Sequence, residues 1–188
     1  MQLSPHLSLA EFTRSATAER NKVDNSLPAD LAPNAKLCAE RLFERIRAVW
    51  GDVPRAINSG YRNPRVNTLV GGSATSQHMA ASALDLGVKP GENLFEMFLR
   101  LLESDLVYDQ LIIEGMKPSS PLSGWIHCSY NSLKVRGKLD SGFDPNMKQR
   151  MDTKKIFFDD EGRSVTISVT KDEAIKWARE RVNATKGA

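Results

Sequence analysis

The segment Ser76 to Val88 reads SQHMAASALDLGV and sets His78 and Asp85 seven residues apart among small and apolar neighbours. A buried, unpaired carboxylate costs several kcal/mol or stays protonated, so Asp85 requires a cation. The candidates are an arginine or lysine, a protonated histidine, or a metal ion shared with His78. Of the chain's three histidines, His127 also lies in a short apolar segment, GWIHCSY, whereas His6 sits in a polar N-terminal stretch. Catalytic zinc commonly takes three His or carboxylate ligands and keeps a fourth position open, so His78, Asp85 and His127 would form a complete set. Spacing alone does not choose between this and hydrogen-bonded core histidines. Seven residues of extended chain put two side chains on opposite faces, so a shared site needs a turn or bulge between His78 and Asp85.

The elements that must position these residues are legible from periodicity. LSLAEF reads as a short helical turn. Over Leu31 to Trp50 an apolar stripe of Leu37, Cys38, Leu42, Ile46, Val49 and Trp50 predicts an amphipathic helix ended by Gly51. RAINSGYR reads as a short strand running into a glycine turn, and Pro64 starts the next segment. SALDLGV alternates as a strand does, and Glu92 to Leu102 carries a second amphipathic helix. YDQLIIEG and GWIHCSY read as neighbouring strands of one sheet, with GMKPSSPLSG between them as the rim of a cleft. Beyond Asn131 a polar linker leads to the hairpin KKIFFDDEGRSVTISV, with its turn around Asp160 to Gly162. A last helix follows, capped by Thr170 and Glu173. This order of elements favours an α+β layer fold over alternating parallel units.

At 188 residues the chain suits one main domain with an appendage. Its 40% hydrophobic and 26% charged residues exclude disordered and fibrous classes. The net charge of +3 suits an anionic target without requiring one, and the basic residues are neither clustered nor interleaved with aromatics. Nucleic acid is therefore not expected as a partner. Two cysteines, Cys38 and Cys128, form no disulfide framework and no metal knuckle, and both are expected as thiols. No segment approaches a membrane span and the N-terminus lacks a leader pattern, so synthesis in the cytoplasm without membrane insertion is expected.

Together SGYRNPRVNTLVGGSATSQHMAASALDLGV, DQLIIEG and GWIHCSY resemble the zinc D-alanyl-D-alanine peptidases of the M15 family, in the branch common in bacteriophages and prophages. The resemblance runs over roughly Leu7 to Tyr130. It implies a hedgehog/D-Ala-D-Ala peptidase-like α+β fold in which a small antiparallel sheet, packed with helices, carries the zinc site. Residues 1–135 would be the peptidase domain, and residues 136–188 a docked extension of linker, hairpin and helix. By the same resemblance His78, Asp85 and His127 are the zinc ligands, Ser76 supports the first of them, and Arg62 of SGYR faces the substrate. Better-known members place an acidic residue three positions before the second histidine, where this chain has Gly124. The base is therefore assigned to Glu114, since the related hedgehog-type domain keeps a glutamate before a segment much like WIHCS. Ala81 stands where the family usually has glycine, and alanine there implies a φ below zero.

The activity so implied is zinc-dependent hydrolysis of a bond in peptidoglycan stem or cross-bridge peptides by a monomer. Glu114 would serve as general base, Arg62 would hold the oxyanion, and Ser76 and Trp125 would line the substrate site. A protein with no leader then reaches the wall after phage-mediated release or within a virion. The competing reading keeps the fold and the zinc but makes the protein a non-catalytic wall-binding or virion assembly component.

Overall fold

The computed structural model describes residues 1–115, 122, 124–130, 152–158 and 164–186. The expected cleft rim, most of it, the polar linker and the turn around Asp160 lie outside the described residues.

The chain opens with a two-stranded ribbon, β1 (Gln2–Ser4) and β2 (Leu7–Ser8), followed by two single-turn helices, α1 (Leu9–Thr13) and α2 (Ala16–Arg20). Ser8 and Glu11 close α1 with a capping box, which starts the helix where LSLAEF predicts it. The expected long helix is present as α3 (Ala32–Cys38) and α4 (Glu44–Val49), joined by a wide π turn at Ala39–Phe43. That turn rotates the buried stripe: Ala35, Cys38, Ala39, Leu42, Phe43, Ile46 and Trp50 are buried, while Leu37 and Val49 are only partly so. The helix ends at Gly51, with φ +86°, through the bonds Gly51 N to Ala48 O and Asp52 N to Arg47 O.

Two further helices follow, α5 (Pro64–Leu69) and α6 (Leu94–Glu103). Helix α6 starts two residues later than periodicity suggests, because Asn93 caps it and Glu92 turns away to pair with Arg55. The last helix, α7 (Lys171–Lys186), begins at the expected Thr170–Glu173 cap. Its Trp177 packs edge-on against Phe95 and Phe98 of α6, and Ala174, Ala178 and Val182 join the same core.

The principal sheet has β3 (Ala83–Leu86), β4 (Gln110–Glu114), β5 (Trp125–Ser129), β6 (Asp152–Phe158) and β7 (Ser164–Val169), in the order β3-β5-β4-β6-β7. The fold class is α+β as expected. The sheet is not wholly antiparallel, however: β6 lies parallel to β4, although β3, β5 and β4 pair antiparallel, as do β6 and β7. A parallel neighbour cannot be joined by a tight hairpin, and in the sequence β4 and β6 are separated by residues 115–151, which include β5.

RAINSGYR forms no strand. Only Ser59 bridges to Asp85 on the outer edge of β3, because the next backbone groups bond elsewhere: Tyr61 N to Phe12 O, and Arg62 N to His78 O. The bridge still covers the exposed edge of the strand that bears Asp85.

Candidate metal centre

Register sorts the three central strands into two faces. Leu84, Cys128 and Leu111 stand opposite one another, as do Leu86, Ile126 and Ile113, and all six are fully buried in the helix-covered core. The alternate positions share the other face: Asp85 opposite His127 opposite Ile112, and Trp125 opposite Glu114. Period-two alternation thus brings a carboxylate and an imidazole from distant parts of the sequence side by side.

His78 reaches the same point from a turn, as its seven-residue distance from Asp85 demands. Ser82 N bonds to Gln77 O at 3.0 Å and Ala81 N to His78 O at 3.2 Å, the bond pattern that also closes α4 at Gly51. The residue at the left-handed position is Ala81, with φ +54°. The expectation that alanine keeps φ negative there is thus overturned. The turn geometry is dictated by the need to reverse the chain between two converging side chains, and the alanine accepts the strained conformation with its methyl fully buried.

His78 Nε2, Asp85 Oδ1 and His127 Nδ1 converge, with separations of 3.2 Å between the imidazoles, 3.2 Å from His78 to Asp85 and 3.0 Å from His127 to Asp85. All three residues are buried. His78 Nδ1 lies 2.6 Å from the carbonyl oxygen of Gly60, which can only accept, so a neutral His78 carries its proton on Nδ1 and presents a lone pair at Nε2. Burial opposes the charge on Asp85, but the contacts with His127 and His78 outweigh it and hold the carboxyl well below the usual carboxylate range. A neutral His78 thus turns a lone pair toward the Asp85 carboxylate and His127 Nδ1, and the three atoms are close enough to share a cation. Tetrahedral zinc with bonds of about 2.0–2.1 Å spaces its ligand atoms by about 3.3–3.4 Å, so two imidazoles and a carboxylate at these separations fit it.

Arg62 donates from Nη2 to Asp85 Oδ2 and from Nε to Ser59 Oγ at 2.8 Å. Two of its three guanidinium nitrogens are thus engaged within the chain, one of them on the carboxylate. Asn25, buried, clamps the backbone on both sides of Arg62: Nδ2 donates to Tyr61 O at 3.0 Å, and Oδ1 accepts from Asn63 N at 2.8 Å. Ser76 contributes backbone bonds to the turn leading into His78, and the fixing of the His78 ring falls to Gly60. A Cβ at position 60 would stand 2.4 Å from Phe12 O, which explains glycine in SGYR. Sequence reasoning missed Ser59, Gly60 and Asn25 as supports. The first two lie inside the SGYR block, whereas Asn25 carries no sequence signal, because its partners are 12 to 38 residues away.

Glu114 and Trp125 end the site-bearing face, two residues along their strands from Ile112 and His127. Trp125 Nε1 donates to Glu114 Oε2 at 3.2 Å. His6, outside this group, bonds Glu44 near the surface at 2.8 Å. Cys38 and Cys128 are unbridged and buried, and burial pushes both thiols up. Among the described residues no helix is long and apolar enough to cross a membrane.

A zinc-compatible trio, two of its residues on one sheet face and the third on a turn, is supported by a half-buried arginine and a histidine-orienting carbonyl, an arrangement that suits a metallopeptidase-type centre. The sequence profile of the family described as Peptidase M15 matches residues 5–129, and the chain belongs to that family. No curated protein matches the chain. Family membership supports a metallopeptidase role, and the matched region contains all three converging residues and Glu114.

Proposed function

We propose that this protein is a zinc peptidase that hydrolyses a bond in the stem or cross-bridge peptides of bacterial peptidoglycan. The observation that carries this reading is the convergence of His78 Nε2, Asp85 Oδ1 and His127 Nδ1 within 3.2 Å of one another in a Peptidase M15 chain. These three residues would hold the ion. When bound, zinc supplies Lewis-acid polarisation of the scissile carbonyl and acidifies water so that it can attack near neutral pH.

The chain's own residues supply the rest. Glu114 accepts a proton from the attacking water and returns it to the departing amine, as general base and then general acid. Arg62 orients Asp85 through Oδ2, and its Nη1, which makes no hydrogen bond among the described residues, donates to a substrate oxygen. Ser76 and Trp125 border the substrate. Residues 1–135 form the peptidase unit, and residues 136–188 are an extension whose helix α7 rests on α6. The protein works as a monomer on the wall, after phage-mediated release or from a virion, as the phage-type branch it resembles implies.

The test is turbidity loss of purified, outer-membrane-stripped bacterial walls by the protein as isolated, after chelation, after zinc is restored, and with Asp85→Ala. Clearing that chelator abolishes, zinc restores and the variant lacks is the expected result. A folded, zinc-loaded chain that cleaves neither walls nor free stem peptides points instead to a non-catalytic wall-binding or virion assembly component. Gly124, in place of an acidic residue before His127, favours that second reading.

A further inference from the structure

We propose that Trp125 is a positioning residue for Glu114, and that Gly115 exists to admit the ring that does the positioning. The inference rests on Glu114 as the general base. Glu114 is the last residue of β4, half-buried, and a carboxylate at a strand end has several rotamers open to it. Trp125 is its direct cross-strand partner, and the indole N–H donates to Oε2 at 3.2 Å. Oε1 takes no hydrogen bond from the described residues, so one oxygen is anchored and the other is left to handle the proton.

The ring itself is held in place. A Cβ at Gly115 would stand 1.9 Å from Trp125 Cζ3 and 2.4 Å from Cε3, and Gly115 has φ +67°. Both the conformation and the contact demand glycine. The indole therefore lies against the backbone that follows Glu114, wedged between strand end and carboxylate. A tryptophan that served only as an apolar wall would not need its N–H turned onto the one carboxylate at the end of β4. Two residues from His127 on the same face, Trp125 links the orientation of the base to the strand that carries a metal ligand.

The experiment uses the full zinc-loaded chain, soluble cross-linked wall fragments as substrate, and the variants Trp125→Phe, Glu114→Gln and their combination. Trp125→Phe keeps an aromatic ring and removes the N–H. It is expected to lower kcat about tenfold or more with KM within about twofold, and to cost nothing further in the Glu114→Gln background. A second readout needs no change at Trp125: its indole N–H resonance is expected to shift in Glu114→Gln, with or without zinc. A rise in KM at constant kcat, losses that multiply in the combined variant, or an unmoved resonance would overturn the proposal. Full activity in Glu114→Gln alone would remove the base assignment itself, a failure read from that single variant whatever Trp125→Phe does.

Discussion

Arg62 and Asp85 form an ion pair in which the arginine takes Oδ2 and leaves Oδ1 to the two histidines. The carboxylate is thereby divided between a guanidinium that orients it and the point where an ion fits. Lysine, a single flexible donor group, cannot hold both Ser59 Oγ and Asp85 in fixed directions. Arg62→Lys is expected to weaken zinc binding by about 10- to 100-fold, measured by competition with a chromophoric chelator. Unchanged affinity would show that the pair does not support the ligand.

Removing one of the three proposed ligands should have a sharper effect. Asp85→Asn and His127→Ala are each expected to abolish stoichiometric zinc in the purified protein, as measured by elemental analysis. The unsubstituted chain should retain about one zinc ion per molecule.

Chelation should also lower thermal stability, because an ion that binds only the folded state stabilises it by an amount that grows with the logarithm of its free concentration relative to its dissociation constant. Zinc at 100 times its dissociation constant contributes about 2.7 kcal/mol. Calorimetry with and without chelator tests this, and an identical Tm in both would mean that the trio holds no ion.

The strained turn at Ala81 gives an unusual pair of expectations. Glycine would relieve about 1–2 kcal/mol of left-handed strain but give up a buried methyl worth about 0.8 kcal/mol, so Ala81→Gly should change stability by no more than about 1 kcal/mol. Ala81→Val puts a β-branched side chain at φ +54° in a fully buried position and should destabilise by about 2–4 kcal/mol. Urea unfolding of both variants separates strain from packing.

Arg55 is nearly buried, its guanidinium lies 4.8 Å from the centre of the Trp50 ring, and it meets Glu92 through two bonds of 2.5 and 2.6 Å. Those hydrogen bonds hold the Glu92 carboxyl below its ordinary value of 4.5. A folded-state value below the unfolded one gives stability that is fully present above the unfolded value and lost as pH falls through the folded one. Glu92→Gln should therefore cost about 1–3 kcal/mol at neutral pH. In denaturation at a series of pH values the gap from the unsubstituted chain should close in acid, and a gap that persisted there would rule out the ion pair as its source.

Much of this arrangement was legible in the sequence because it is written in local patterns. Alternation in SALDLGV and WIHCS marks the strands, Thr170 with Glu173 marks the start of α7, and the isolation of Asp85 among apolar neighbours demands a cation before any fold is known. The order of the SGYR, SQH and WIHCS blocks carries the family. Tertiary structure decided what depends on partners distant in the chain. Asp85 stands opposite His127 because of strand register across 42 residues. RAINSGYR gives up its strand because its backbone groups bond to Phe12 and His78, and Glu114 meets Trp125 because β4 and β5 pair. Hydropathy specifies which face of a strand is buried. Which residues share that face, and which of several cations answers a given carboxylate, is fixed only when the strands are laid side by side.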